Sequence, residues 1–230
     1  MPSNYKMTYE VDLVFCIDAT YSMDPILDKV KENALNFYRD FQQKMVEKGK
    51  KVSQLRIRIV AFRDYYYDTN NAMMVTNFFN LPDMIEDFEA CVKSIIPDGG
   101  GDDPEDGLEA LAYAMKSDWS RGQGKKKRHV IVVWSDEGTH ELGFGNNVSN
   151  YPKGMAKDFN ELTEWWGSRR TPGLMDENAK RLLIFAPDKP GWNTIQNNWN
   201  NVIHAVTDDN DRGLSKVEYG EILEAICNSI

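Results

Sequence analysis

Short, almost continuously apolar runs, separated by helical patterns, constrain the fold of this chain more than any other feature. Val11–Ile17 (VDLVFCI), Leu55–Phe62 (LRIRIVAF), His129–Trp134 (HVIVVW), Arg181–Ala186 (RLLIFA) and Asn201–Val206 each read as a strand. Runs this apolar suit strands covered on both faces, as in a parallel sheet. In the second run Arg56 and Arg58 alternate with Leu55, Ile57 and Ile59, so its first half is partly exposed. From about Pro25 to Lys48, Leu27, Val30, Ala34, Phe37, Phe41 and Met45 recur at spacings of three and four, predicting a helix with Asp24 as N-cap. A third strand is expected around Met73–Leu81, at an edge, followed by a helix opened by Pro82 and another from Pro104 to about Ser117. Segment 137–180 reads as an irregular insertion whose helical part is Met155–Trp166, and Ser215–Glu218 as a capping box before a C-terminal helix. The order β-α-β-β-α-α-β-insertion-α-β-α-β-α predicts a single Rossmann-like α/β domain over 1–230. Its central sheet should be mostly parallel, with helices on both faces.

Composition narrows the function. Hydrophobic residues make up 41% of the 230, enough for a substantial core. Twenty-seven basic against 36 acidic side chains give a net charge of −9, which argues against a nucleic-acid partner and suits cations or basic partners. Cys16, Cys91 and Cys227 are far apart and form no CxxC, so neither a disulfide framework nor a zinc site is expected. The polar start MPSNYKMTYE has no apolar leader, and no run approaches the ~18 apolar residues of a membrane span. A cytoplasmic protein without a membrane partner is the expectation.

Three oxygen-rich loops follow strand ends. The first carries Asp18, Thr20 and Ser22, a carboxylate and two hydroxyls at i, i+2 and i+4 on a turn. The second is Gly99-Gly100-Gly101-Asp102-Asp103-Pro104-Glu105, the third Ser135-Asp136-Glu137-Gly138. Oxygen ligands without histidine or cysteine suit Mg²⁺, Ca²⁺ or Mn²⁺ rather than Zn²⁺. In the second loop Asp102 directly follows the glycines and is favoured for the metal, whereas Asp103, just before Pro104, sits at a natural N-cap. Asp98, Glu105 and Asp106 read as helix-dipole partners and surface charges. Asp64, at the end of the second strand, reads either as a support for the site or as half of a surface salt bridge. Tyr65–Tyr67 read as a binding rim or as an ordinary loop, and Lys125–Arg128 as a solvated turn. Asp208–Tyr219 resembles a calcium loop but has Arg212 at the fifth position and Tyr219 at the twelfth. The glycines lack GKS, GKT or GxGxxG context, and His129, His140 and His204 are scattered, so no nucleotide loop or nucleophilic triad is expected.

On these motifs the chain resembles a von Willebrand factor A (VWA) domain with a metal-ion-dependent adhesion site (MIDAS). The family pattern is Asp-x-Ser-x-Ser, then Thr or Asp after glycines, then Asp. Asp18, Thr20 and Ser22 match the first element, Asp102 the second and Asp136 the third, in order over nearly the whole chain. Tyr21 departs from the pattern, standing where the family has Gly. The resemblance implies that hydroxyls and carboxylates hold Mg²⁺, with Mn²⁺ or Ca²⁺ as substitutes. It also implies that one coordination position is left for an Asp or Glu of a protein partner. Within the family the wording is most like bacterial stand-alone cytoplasmic VWA proteins. These are often encoded beside a protein kinase and a PPM-type phosphatase, in systems linked to stress or phage conflict. A non-catalytic Mg²⁺-dependent protein-interaction module is the leading expectation. A metal-dependent phosphoesterase-type enzyme and a metal-free structural domain are the alternatives.

Overall fold

Each apolar run becomes a strand, and the helical patterns fall between them. A computed structural model describes residues 7–101, 103–122, 125–208 and 214–230. In chain order the elements are β1 (Thr8–Asp18), a 3-10 turn (Tyr21–Met23), α1 (Asp24–Glu47), β2 (Lys51–Phe62), α2 (Tyr65–Asp68), a 3-10 turn (Thr69–Asn71), β3 (Met73–Val75) and β4 (Phe79–Leu81). Then come α3 (Ile85–Ser94), α4 (Gly107–Met115), β5 (Lys126–Trp134), α5 (Phe159–Trp166), β6 (Lys180–Pro187), α6 (Trp192–Asn198), β7 (Val202–Thr207), a 3-10 turn (Leu214–Lys216) and α7 (Tyr219–Ser229).

The described strands form one mixed sheet in the order β3-β2-β1-β5-β6-β7, with β4 also paired to β2. The pairs β1–β2, β1–β5, β5–β6 and β6–β7 are parallel, whereas β3 and β4 run antiparallel to β2 at the edge. The fold is therefore a single Rossmann-like α/β domain. The period of two divides β1 between two cores. Leu13, Phe15 and Ile17 face one side with Leu27, Phe37 and Phe41 of α1, Phe88 of α3 and Ile226 of α7. Val14 and Cys16 face the other with Leu111 of α4, Leu162 and Trp166 of α5 and Ile195 of α6. No described helix is long and apolar enough to cross a membrane.

Several boundaries differ from the sequence expectation. Asp24 lies inside α1 rather than capping it, because the chain first makes the 3-10 turn Tyr21–Met23. The edge strand is two short pieces, each pairing a different part of β2. The basic run is the start of β5, where Lys125 and Lys127 pair with Glu10 of β1, and not a free turn. Helix α7 starts at Tyr219 after Glu218, so Ser215 does not open it. Segment 137–180 contributes Leu142, Ala156, Leu162, Trp166, Met175 and Ala179 to the buried residues, so it is part of the domain's core.

Candidate metal centre

The chain leaves β1 to one side for β2 and returns to the other for β5, so the C-terminal ends of β1 and β5 open onto a topological switch point. Asp18 ends β1 and is fully buried. Its Oδ1 accepts the Thr20 N–H at 3.0 Å and the Thr20 Oγ1–H at 2.6 Å, and its Oδ2 accepts the Ser135 hydroxyl at 2.8 Å. Thr20 Oγ1 lies 3.1 Å from Ser22 Oγ, which donates to Asp136 Oδ1 at 3.2 Å. Asp18, Thr20, Ser22 and Asp136 thus form one chain of oxygens, buried at Asp18 and open to solvent at Ser22. Tyr21 projects beside it, 71% exposed. Asp102 lies outside the described residues, as do Asn210, Arg212 and Gly213 of the rejected calcium loop.

The glycine loop closes over these oxygens. Asp98 N–H donates to Ala19 O at 3.1 Å, and Tyr21 N–H to Gly99 O at 3.3 Å. Gly100 has φ +77°, and a Cβ there would come within 2.9 Å of Glu105 Oε1 and 3.1 Å of Thr20 Cβ. Only glycine permits this approach without strain. The Arg63 guanidinium ties the surrounding segments, donating to Ala19 O at 2.9 Å and to Asn71 O and Ile96 O at 2.6 Å each.

Glu105 corrects the sequence reading. A helix opening at Pro104 would leave it at the surface, but α4 begins at Gly107. Residue 105 instead makes a parallel bridge to Thr139, which draws its side chain inside. Glu105 and Asp106 are 2% and 0% exposed, so neither is a surface charge. Asp103 does not cap α4 either, whose N-cap residue is Asp106. Among the described residues Glu105 Oε2 is buried without a hydrogen-bond partner.

Burial, then the charges of Asp18, Asp64, Asp68 and Asp103, push the Glu105 carboxyl up to about 10. Burial and the Asp18 charge push Asp136 up to about 7. Asp18 is also raised by burial, against the hydrogen bonds from Thr20. Among the described residues none of these three carboxylates forms an ion pair. Buried carboxylates in this state either hold protons or hold a cation. The donors are hard oxygens, which fit a Mg²⁺-class ion.

A second polar cluster adjoins this one. Asp64 is not in a surface salt bridge: it is fully buried, and its Oδ2 lies 2.9 Å from His140 Nε2. Asp64 Oδ1 accepts the Tyr66 N–H and, at 3.1 Å, the Tyr67 N–H, capping α2. Asp106 Oδ2 accepts the Tyr65 N–H at 2.6 Å. One ligand atom each from Asp64, Asp106 and His140 lies within 4.8 Å of the others. Tyr65 is buried, while Tyr66 and Tyr67 are half exposed. The sequence offered no ligand spacing for this cluster, since its members come from three separate loops.

No protein-family model matches the chain, and no curated protein matches it. Solved structures do. The minor pilin PilB from Streptococcus sanguinis matches with a TM-score of 0.56 at 14% identity, over 99% of this chain and 63% of that one. A von Willebrand factor type A protein from Catenulispora acidiphila matches at 0.54 and 12%, over 96% and 43%. The pilus adhesin SpaC from Lactobacillus rhamnosus GG matches at 0.54 and 10%, over 95% and 31%. This chain therefore spans less than two thirds of each of these proteins. The likeness is one of fold: a Rossmann-like α/β domain similar to a VWA protein and to pilus components.

Proposed function

We propose that this protein is a Mg²⁺-dependent protein-interaction module of the MIDAS type. The observation that carries it is the meeting of Asp18, Asp136 and Glu105 with the hydroxyls of Thr20 and Ser22 at the β1–β5 switch point, without a counter-ion among the described residues. Asp18, Thr20, Ser22 and Asp136 would hold the ion, together with Asp102. The ion would present an electrophile to an Asp or Glu of a partner protein. Tyr21 and the half-exposed Tyr66 and Tyr67 would frame that contact. The same proposal covers its setting: a bacterial cytoplasmic protein, non-catalytic, whose partner belongs with a protein kinase or PPM-type phosphatase.

Calorimetric titration of Mg²⁺ and Ca²⁺ into wild type and Asp18→Ala tests this. Saturable binding lost in the variant, followed by a pull-down that fails with chelator, is the expected result. A metal-dependent phosphoesterase activity abolished by Asp18→Ala would replace the proposal with the enzymatic alternative.

A further inference from the structure

Asp64, Asp106 and His140 are 0%, 0% and 6% exposed on their side chains or residues, and they come from the loop after β2, the N-cap of α4 and the loop after β5. Glu109, three residues beyond Asp106 on α4, is also fully buried. Its Oε1 accepts the Gly143 N–H and the Tyr151 hydroxyl, each at 2.8 Å. Its Oε2 is buried with no hydrogen-bond donor among the described residues. Burial holds the Glu109 carboxyl above the usual carboxylate range, against the hydrogen bonds from Gly143 and Tyr151. Beside it, Asp64 Oδ2 lies 2.9 Å from the His140 Nε2. Carboxylates buried this deeply need compensating positive charge.

We propose that Asp64, Asp106 and His140, whose ligand atoms lie within 4.8 Å of one another, form a second divalent-cation site beside the first. One imidazole nitrogen among carboxylates shifts its preference from Mg²⁺ towards first-row transition metals such as Mn²⁺. A metal held at Nε2 would replace the present His140–Asp64 hydrogen bond, with the imidazole proton carried on Nδ1. The two sites are joined through one short segment. His140 N–H donates to Glu105 O at 2.9 Å, and Asp106 N–H to Arg63 O at 3.1 Å. Glu105 in turn packs beside Gly100 and Thr20 at the first site. An ion here would pin the loops that carry the first site. The inference stands on its own residues and does not need the first site to bind Mg²⁺.

The test is Mn²⁺ alone as probe, titrated into wild-type protein held in excess Mg²⁺ and followed by electron paramagnetic resonance. A bound Mn²⁺ whose spin echo shows histidine nitrogen coupling is expected. The coupling should vanish in His140→Gln, with Mn²⁺ affinity at least about tenfold weaker, and persist in Asp18→Ala. Asp106→Asn, which keeps a side-chain oxygen for the Tyr65 N–H, should weaken Mn²⁺ similarly with an unchanged circular dichroism spectrum, which covers the case of a poorly folded His140→Gln. No bound Mn²⁺, bound Mn²⁺ without nitrogen coupling, or coupling that survives in His140→Gln would each overturn the proposal. Loss of Mg²⁺ binding with this signal intact would count against the first site only.

Discussion

Ser22 Oγ donates a hydrogen bond to Asp136 Oδ1 at 3.2 Å, joining the loop after β1 to the loop after β5 across the mouth of the switch point. Ser22 is open to solvent, while Asp18, linked to it through Thr20, is buried. On the proposed function, an ion would enter from water at Ser22 and meet the buried carboxylate inside.

Metal-free protein should lose stability as pH rises. Asp136 and Glu105 have folded-state pKa values of about 7 and about 10, above their values in the unfolded chain. The native state therefore binds more protons than the unfolded state, and stability falls as pH passes from about 5 to 8. Mg²⁺ replaces those protons, so the stabilisation it confers should grow over the same range, on the order of 1–3 kcal/mol. Thermal melts with and without Mg²⁺ at both ends of the range check this. A Mg²⁺ increment that is flat or larger at acid pH contradicts it.

Gly100→Ala should damage the site without replacing a ligand. The new methyl would press on Glu105 and Thr20 in a left-handed backbone conformation. A cost of about 1–3 kcal/mol is expected, together with weaker Mg²⁺ binding. Calorimetry and denaturant melts measure both; wild-type affinity would show that the glycine loop does not set the oxygens.

Asp12→Ala should act on stability alone. Asp12 is fully buried in β1, paired with Arg56 through two contacts of 2.7 Å, and accepts the Ser120 N–H at 2.7 Å. Removing one partner of such a pair costs about 3–5 kcal/mol. Mg²⁺ affinity of the folded fraction should not change, because Asp12 lies well down the strand from Asp18.

Trp166→Ala tests whether segment 137–180 is integral to the fold. Trp166 is fully buried, stacks on Trp199 at 5.3 Å and donates its indole N–H to Asn200 O at 3.0 Å. A loss of about 3–5 kcal/mol is expected from chemical denaturation. A change below about 1 kcal/mol would mean that the segment is a removable decoration.

The strands and their two-sided cover were legible because β1, β5 and β6 are nearly all apolar, a pattern that a surface strand cannot carry. Asp18, Thr20, Ser22 and Asp136 were legible because they sit next to those strand ends. Glu105 and Asp106 were not. Next to Pro104 they look like the opening turn of a helix, but the bridge from Glu105 to Thr139 and the bonds of Asp106 to Arg63 and Tyr65 hold them inside. In the sequence His140 is one of three scattered histidines, because its partners Asp64 and Asp106 are brought to it by tertiary packing rather than by sequence spacing. The insertion read as irregular because its buried residues have no single period. They join the α4 side of the core from α5 and from the irregular stretches on either side of it.

The clamp made by Arg63 has a consequence for how such a surface would be switched. A guanidinium stays charged at any physiological pH, so the hold on Ala19, Asn71 and Ile96 does not depend on protons or on an ion. The rim would keep its outline when a chelator strips the metal. Only its charge would change, from a patch that attracts acids to one that repels them. A partner would then detach from an unaltered shape and could return as fast as the ion does, with no refolding step in between.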